Sequence, residues 1–264
     1  MSALEGRTVL LTGASGGIGA ALCDALVAAG AQVVAIGRNR VRLQAIAARH
    51  APGRILPVIA DLADPEGPAR IVATASQLQP TPSVLVLAHA QGAFGLFEQQ
   101  SPQALQSLLN TNLVASMTLI HVLLPMLRTH PQASVVAIGS TFGSLAFPGF
   151  AAYSASKFGL RGLMEGLARE HADMPLRFQY LSPRATRTAF NTPQVEAMNR
   201  EMKVAQDDPA DVAAQLVAAI ASGRRRMQIG WPEKLFARIN GALPGLVDRS
   251  LAVQLPIVRR HARS

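Results

Sequence analysis

The chain has 264 residues, 49% of them hydrophobic, with one cysteine, 25 basic and 16 acidic residues and a net charge of +9. That length suits one large α/β domain, or one domain with an appendage, and no stretch is polar enough to read as disordered. The lone Cys23 excludes an intrachain disulfide and a multi-cysteine metal site, and its apolar helical surroundings predict a buried thiol.

Met1 to Arg7 lead straight into a first strand, Val9 to Thr12, with no basic segment followed by an apolar one. No run of about 18 uninterrupted apolar residues follows, so a cytoplasmic chain, soluble or peripheral at the inner membrane surface, is expected. A glycine-rich turn, Gly13 to Gly19, opens a helix that runs to Ala29 and closes at Gly30. Strands are predicted at Gln32 to Gly37, Ile55 to Ile59, Ser83 to Leu87, Ser134 to Ile138, Leu176 to Leu181 and Met227 to Ile229. Helices alternate with them at Asn39 to His50, within 65–78, at Pro102 to Thr129 with a break near Asn112, from the Tyr153 region to about Ala172, and at Pro209 to Ser222. Short apolar strands alternating with helices imply a Rossmann-type, doubly wound parallel sheet with helices on both faces. Gly13, Asp61, His89, Ser140 and Pro183 each follow a strand, which places them at the one sheet edge where such folds bind ligands.

The charge is not evenly spread. From Arg224 onward there are nine basic and two acidic residues, net +7, which leaves +2 for the preceding 223 residues. Nucleic-acid binding would want basic residues interleaved with aromatics on a recognisable module, and none is present. An anionic membrane surface or an acidic substrate suits this tail better.

Gly13, Gly17 and Gly19 stand where a strand turns into a helix, so backbone and helix N–H groups can approach a pyrophosphate. The second strand ends in Arg38 where an NAD-selective fold carries a carboxylate, and an Arg suits a 2′-phosphate, so NADP(H) is expected over NAD(H). Arg40 and Arg42 are expected on the surface. Asp61 can accept from an adenine amino group or cap the next helix. Tyr153 and Lys157 share a helical face, and an ammonium beside a phenol should lower the phenol pKa towards the range of an acid/base catalyst.

From Arg7 to about Gly230 the chain resembles the short-chain dehydrogenase/reductases. The markers are Thr12-Gly13-Ala14-Ser15-Gly16-Gly17-Ile18-Gly19, Asp61-Leu62, Asn112, Ser140, Tyr153-x-x-x-Lys157, and Pro183 with Thr188. The resemblance implies a catalytic tetrad. Tyr153 is its proton donor or base, Lys157 holds the nicotinamide ribose and depresses the Tyr pKa, and Ser140 orients the substrate carbonyl. Asn112 fixes a helix break and binds a water of a proton relay. It further implies cofactor contacts from Gly13, Ser15, Gly17, Ile18, Gly19, Arg38, Asp61, Leu62, Ala90, Pro183 and Thr188, besides Tyr153 and Lys157. Two stretches depart from the family pattern. Its usual Asn-Asn-Ala-Gly is here Leu87-Ala88-His89-Ala90-Gln91-Gly92, with His89 a polar substitute for the missing Asn. Its Pro-Gly is Pro183-Arg184, which sends an Arg either to the cofactor phosphates and an acidic substrate group or out to solvent.

Residues 183–208 are expected to form a lid over the substrate. Phe190, Val195, Met198 and Met202 there, with Phe142, Leu145, Phe147 and Phe150, suggest an apolar pocket. Residues 231–264 are the least family-like part: a basic amphipathic extension expected either to lie in a membrane interface or to pack on the body as a pocket wall or subunit interface. The expectation is an NADPH-dependent carbonyl reductase of a hydrophobic, lipid-like or acyl-type substrate, without a metal, assembled as a homodimer or homotetramer. Oxidation of an apolar alcohol and a non-catalytic dinucleotide-binding regulator are the rival readings.

Overall fold

The computed structural model describes residues 4–263; Met1 to Ala3, on which part of the reading of the chain start falls, lie outside the described residues, as does Ser264. Strand β1 (Thr8–Thr12) leads into α1 (Gly17–Ala28), then come β2 (Gln32–Gly37), α2 (Arg40–Ala47), β3 (Ile55–Ile59), α3 (Glu66–Ser76) and β4 (Val84–Leu87). Helices α4 (Pro102–Leu109) and α5 (Ala115–Arg128) follow, joined without interruption by a wide π-turn, Asn110–Val114. The second half continues through β5 (Ala133–Ile138), α6 (Ala151–Glu170), β6 (Leu176–Ser182), α7 (Pro193–Glu201), α8 (Pro209–Ala221) and β7 (Arg226–Gln228). Three short helices end the chain: α9 (Glu233–Ala242), α10 (Pro244–Ala252) and α11 (Leu255–Arg263).

All seven strands are parallel, in the order β3-β2-β1-β4-β5-β6-β7. The order reverses between β1 and β4, which opens a crevice at their carboxyl ends. Side chains alternate across the sheet as the period of two requires. Val9, Leu11, Val33, Ala35, Val84 and Val86 face α1 and α8. Leu10, Val34, Ile36, Leu85 and Leu87 face α3, α5 and α6. Both faces are therefore sealed, and Cys23 is buried within the first of them, where burial pushes its thiol up to about 12.

Residues 102–128 form one helical run apolar and long enough, by composition, to cross a membrane. In the fold it is a core helix: Leu119, Ile120, Leu123 and Leu127 pack on the sheet. The π-turn inside it adds one residue to a turn, which turns Asn112 inward where an unbroken α-helix would leave a polar residue among apolar neighbours.

The extension packs on the body. Val258 is fully buried, α11 lies against α7, and the amide of Asn240 in α9 donates to the Ser144 carbonyl at 3.0 Å. Residue 231 is thus a change of sequence character rather than a break in packing. The segment 183–208, expected to be a lid, contains α7 and is ordered by its own bonds, among them Asn191 to Glu196 at 2.6 Å and Arg187 to Asp208 at 3.6 Å.

Candidate active site

One cavity of about 800 Å³ opens at the carboxyl ends of the strands. Every residue expected at the site from sequence lines it except Asn112, which stands behind the wall.

At its nucleotide end, β1 turns at Gly13, whose φ of +66° and whose approach to the His89 backbone both demand glycine: a Cβ there would lie 2.6 Å from the His89 backbone nitrogen. A Cβ on Gly19 would meet the Gly13 carbonyl oxygen at 2.0 Å, so α1 can close on β1 only through glycine. Helix α1 begins at Gly17 with Gly16 as its N-cap and no side chain capping it, so its first N–H groups point into the cavity end free for an anion. That cradle fits a dinucleotide pyrophosphate. Arg38 and Asp61, expected to serve ribose phosphate and adenine separately, face each other at 3.7 Å across the rim. Asp61 caps no helix directly; its carboxylate takes the Ala63 N–H at 3.0 Å in a tight turn, and α3 begins only at Glu66. Arg42, assigned to the surface from sequence, is solvent-exposed but lines the same rim as Arg38, from the first turn of α2.

The catalytic end is built on α6 and the end of β5. Tyr153 is 8% exposed and Lys157 2%, both on the face of α6 turned to the cavity. Ser140 hydrogen-bonds the Tyr153 phenol, and its own Oγ accepts the Phe142 N–H at 3.1 Å, which holds the serine in place. Lys157 Nζ donates to the Ile138 carbonyl at 3.1 Å and lies 5.8 Å from the Tyr153 ring centre. Tyr180 on β6, whose hydroxyl donates to the Lys157 carbonyl at 3.1 Å, backs this turn of the helix. Neither sequence spacing nor motif pointed to Tyr180.

The expected fall in the Tyr153 pKa is reversed. Burial pushes the phenol up, the Ser140 hydrogen bond offsets this only in part, and Tyr180 adds to it. The same burial pushes Lys157 down to about 8. Removing both groups from water costs more than their mutual attraction returns at this separation. Tyr153 is accordingly a neutral phenol, the form of a proton donor.

Asn112 reaches three partners from the π-turn. Its Oδ1 accepts the Gln91 N–H at 2.7 Å, and its Nδ2 donates to the Gln91 carbonyl at 3.0 Å and to Ser156 Oγ at 3.1 Å. Ser156 in turn donates to the Tyr153 carbonyl at 2.7 Å, so the helix break and the Tyr153 turn are tied together. His89 fills the place of the missing Asn. Its Nδ1 meets Thr12 Oγ1 at 2.7 Å and its Nε2 meets Ser116 Oγ at 3.2 Å, bridging β1 to α5. Burial and the nearby Lys157 push its pKa down to about 3, so the bridging ring is neutral.

Arg184 goes neither to the cofactor end nor to solvent. Its guanidinium holds Asp207 with two bonds, at 2.9 and 2.6 Å, donates to the Trp231 carbonyl at 3.1 Å and stands 3.5 Å from Glu233. It fastens the start of the lid to its end and to the extension. Phe142, Phe147, Phe150, Phe190, Met198 and Met202 line the substrate side, as expected from sequence. The extension adds Phe236, Val247 and Leu251, with Ser250 and Gln254 as polar groups. Helical spacing puts Phe236 on one apolar face with Leu235, Ile239 and Leu243, yet of these four only Phe236 lines the cavity, and spacing pointed to none of the other four.

Residues 7–199 match the family model of the short chain dehydrogenases. Dehydrogenase/reductase SDR family member 7B of Bos taurus is 29% identical over 99% of this chain and 85% of its own length. The 2,3-dihydroxy-2,3-dihydro-p-cumate dehydrogenase of Pseudomonas putida is 30% identical over 70% of this chain and 73% of its own. Among solved structures, a short-chain dehydrogenase from Streptomyces avermitilis superposes with a TM-score of 0.80 at 29% identity, covering 98% of each chain. The chain belongs to the short-chain dehydrogenase family and is an NAD(P)-dependent oxidoreductase.

Proposed function

We propose that the protein is an NADPH-dependent reductase of apolar ketones or aldehydes, including acyl-type carbonyls. The observation that carries this reading is the neutral Tyr153 phenol, hydrogen-bonded to Ser140 and backed by Lys157, facing a wall of phenylalanines in the same cavity as the glycine cradle. The nicotinamide, when bound, supplies the hydride for the carbonyl carbon. Tyr153 gives its proton to the carbonyl oxygen, which balances the reduction to an alcohol. Ser140 donates a hydrogen bond to that same oxygen and orients it. The Lys157 ammonium favours the phenolate that Tyr153 leaves behind, and Asn112 keeps the Tyr153 turn in register. A phenol already protonated favours reduction over alcohol oxidation, which needs Tyr153 as a base. A regulator that only bound dinucleotide would have no need of a proton-donating phenol set beside Ser140.

The preference for NADPH rests on Arg38 and Arg42 at the rim, two cations suited to a 2′-phosphate, with Asp61 engaged by Arg38. The substrate class rests on the apolar lining. The test is turnover of purified protein with NADPH and a panel of hydrophobic ketones, beside Tyr153→Phe. The variant should lose about 10²–10⁴-fold in kcat while still binding NADPH. Equal turnover by the two proteins, or none by the wild type on any ketone, overturns the reading.

A further inference from the structure

Helix α10 has two faces. Val247, Ser250 and Leu251, with Gln254 in the turn that follows the helix, recur at helical spacing and line the cavity. Leu246, Arg249 and Val253, at i, i+3 and i+7, fall on the other side and are open to solvent, Leu246 being 56% and Val253 79% exposed. On α9, Asn240 bonds the body and Phe236 reaches the cavity while staying 39% exposed, and Leu235 and Arg238 are open to solvent. Leu243 joins the two helices and is exposed as well. Of the 13 large hydrophobic side chains exposed among the described residues, six belong to this extension, and five of them, all but Phe236, lie outside the cavity lining. Scattered exposed apolar residues are ordinary, but such a concentration marks a contact surface. Its charge indicates the partner. Lys234, Arg238, Arg249 and Arg259 have no ion-pair partner among the described residues, and Asp248 is the one acid on α10.

We propose that the outer face of the extension docks on an anionic lipid bilayer. Leu243, Leu246 and Val253 would enter the boundary between headgroups and acyl chains, with Arg238 and Arg249 at the lipid phosphates. The cavity would then lie about 10 Å, one helix diameter, behind the membrane surface. The proposed apolar substrate gives this placement a use, but the docking rests on the surface alone.

Full-length protein is co-sedimented with vesicles of phosphatidylcholine and with vesicles of phosphatidylcholine and phosphatidylglycerol, at low and high salt. Binding is expected on the phosphatidylglycerol vesicles and should weaken with salt. Arg249→Gln should lower the partition coefficient about fivefold, the equivalent of about 1 kcal/mol. Leu246→Ser combined with Val253→Ser should abolish binding. Because these residues face away from the cavity, both variants should keep wild-type turnover of a small water-soluble ketone without vesicles. A wild type that turns over no ketone but still sediments would sink the reductase reading and leave the docking standing. No wild-type binding to phosphatidylglycerol vesicles, or equal binding by the double variant, overturns the docking. So does a fall in mass of the double variant in vesicle-free light scattering, which would assign this face to a second copy of the chain.

Discussion

Lys157 sits 2% exposed, near the Tyr153 ring and His89, with a carbonyl rather than a carboxylate as its hydrogen-bond partner. Its pKa near 8 means that the ammonium persists below that pH and is lost above it. Reduction should therefore fall as pH rises through about 8, read as the basic limb of kcat against pH. The same shift bears on stability with a defined sign. The folded chain holds this proton less tightly than the unfolded chain does, so the cost of burying the charge is present below about 8 and is relieved towards the unfolded value. Lys157→Met should remove that cost and raise the unfolding free energy by about 1–3 kcal/mol at neutral pH, while abolishing turnover. The gain is limited because the Ile138 carbonyl loses its donor. Denaturant titration beside the turnover assay checks both signs. Arg38 offers a second test at this scale. Arg38→Asp should raise the KM for NADPH by roughly 10–100-fold and lower that for NADH, measured as the ratio of the two kcat/KM values.

At the same scale, what could be read from sequence was which residues meet, not how far their pKa values move. Tyr153, Lys157 and Ser140 are brought together by helical spacing and strand order, both of which a sequence displays. The direction of the Tyr153 shift depends on how completely water is excluded, which only the packed wall decides. His89 shows the converse: a departure from the family motif whose role became plain once Thr12 and Ser116 stood at its two nitrogens.

Among the elements, the strands and the irregularity at Asn112 follow from alternation, apolar runs and one misplaced polar residue, all local signals, though the expected break is a π-turn in a continuous helix. The destination of Arg184 does not, because Asp207, Trp231 and Glu233 lie far along the chain and are gathered by the fold. That clamp and a second one, Glu201 of α7 against Arg260 and His261 of α11, hold the lid to the extension at two places. The lid is thus tied down rather than left as a free loop. Arg184→Gln should raise amide exchange in the lid and in α9 together, whereas Glu201→Gln should do so only in α7 and α11. In both variants the KM for a hydrophobic ketone should rise roughly two- to tenfold, with NADPH affinity unchanged.

For the whole molecule, the outer surface of the π-turn, α5 and α6 carries exposed Val114, Met117 and Phe158 beside the point where Gly159 packs closely on Leu113. An apolar surface on adjoining helices predicts self-association there. Light scattering should give a dimer or tetramer for the wild type and a smaller species for Phe158→Glu, and an unchanged mass would place the contact elsewhere.

Helix α10 has one further consequence. Its cavity-lining residues and its solvent-facing residues interleave along the chain, while the groups proposed to do chemistry lie far upstream, at Asn112, Ser140, Tyr153 and Lys157. Substitutions on the inner stripe can reshape the pocket without altering the exterior, and substitutions on the outer stripe can alter the exterior without touching the pocket. The helix is thus a replaceable panel, through which one hydride-transfer framework could be refitted to new substrates or new cellular addresses one trait at a time.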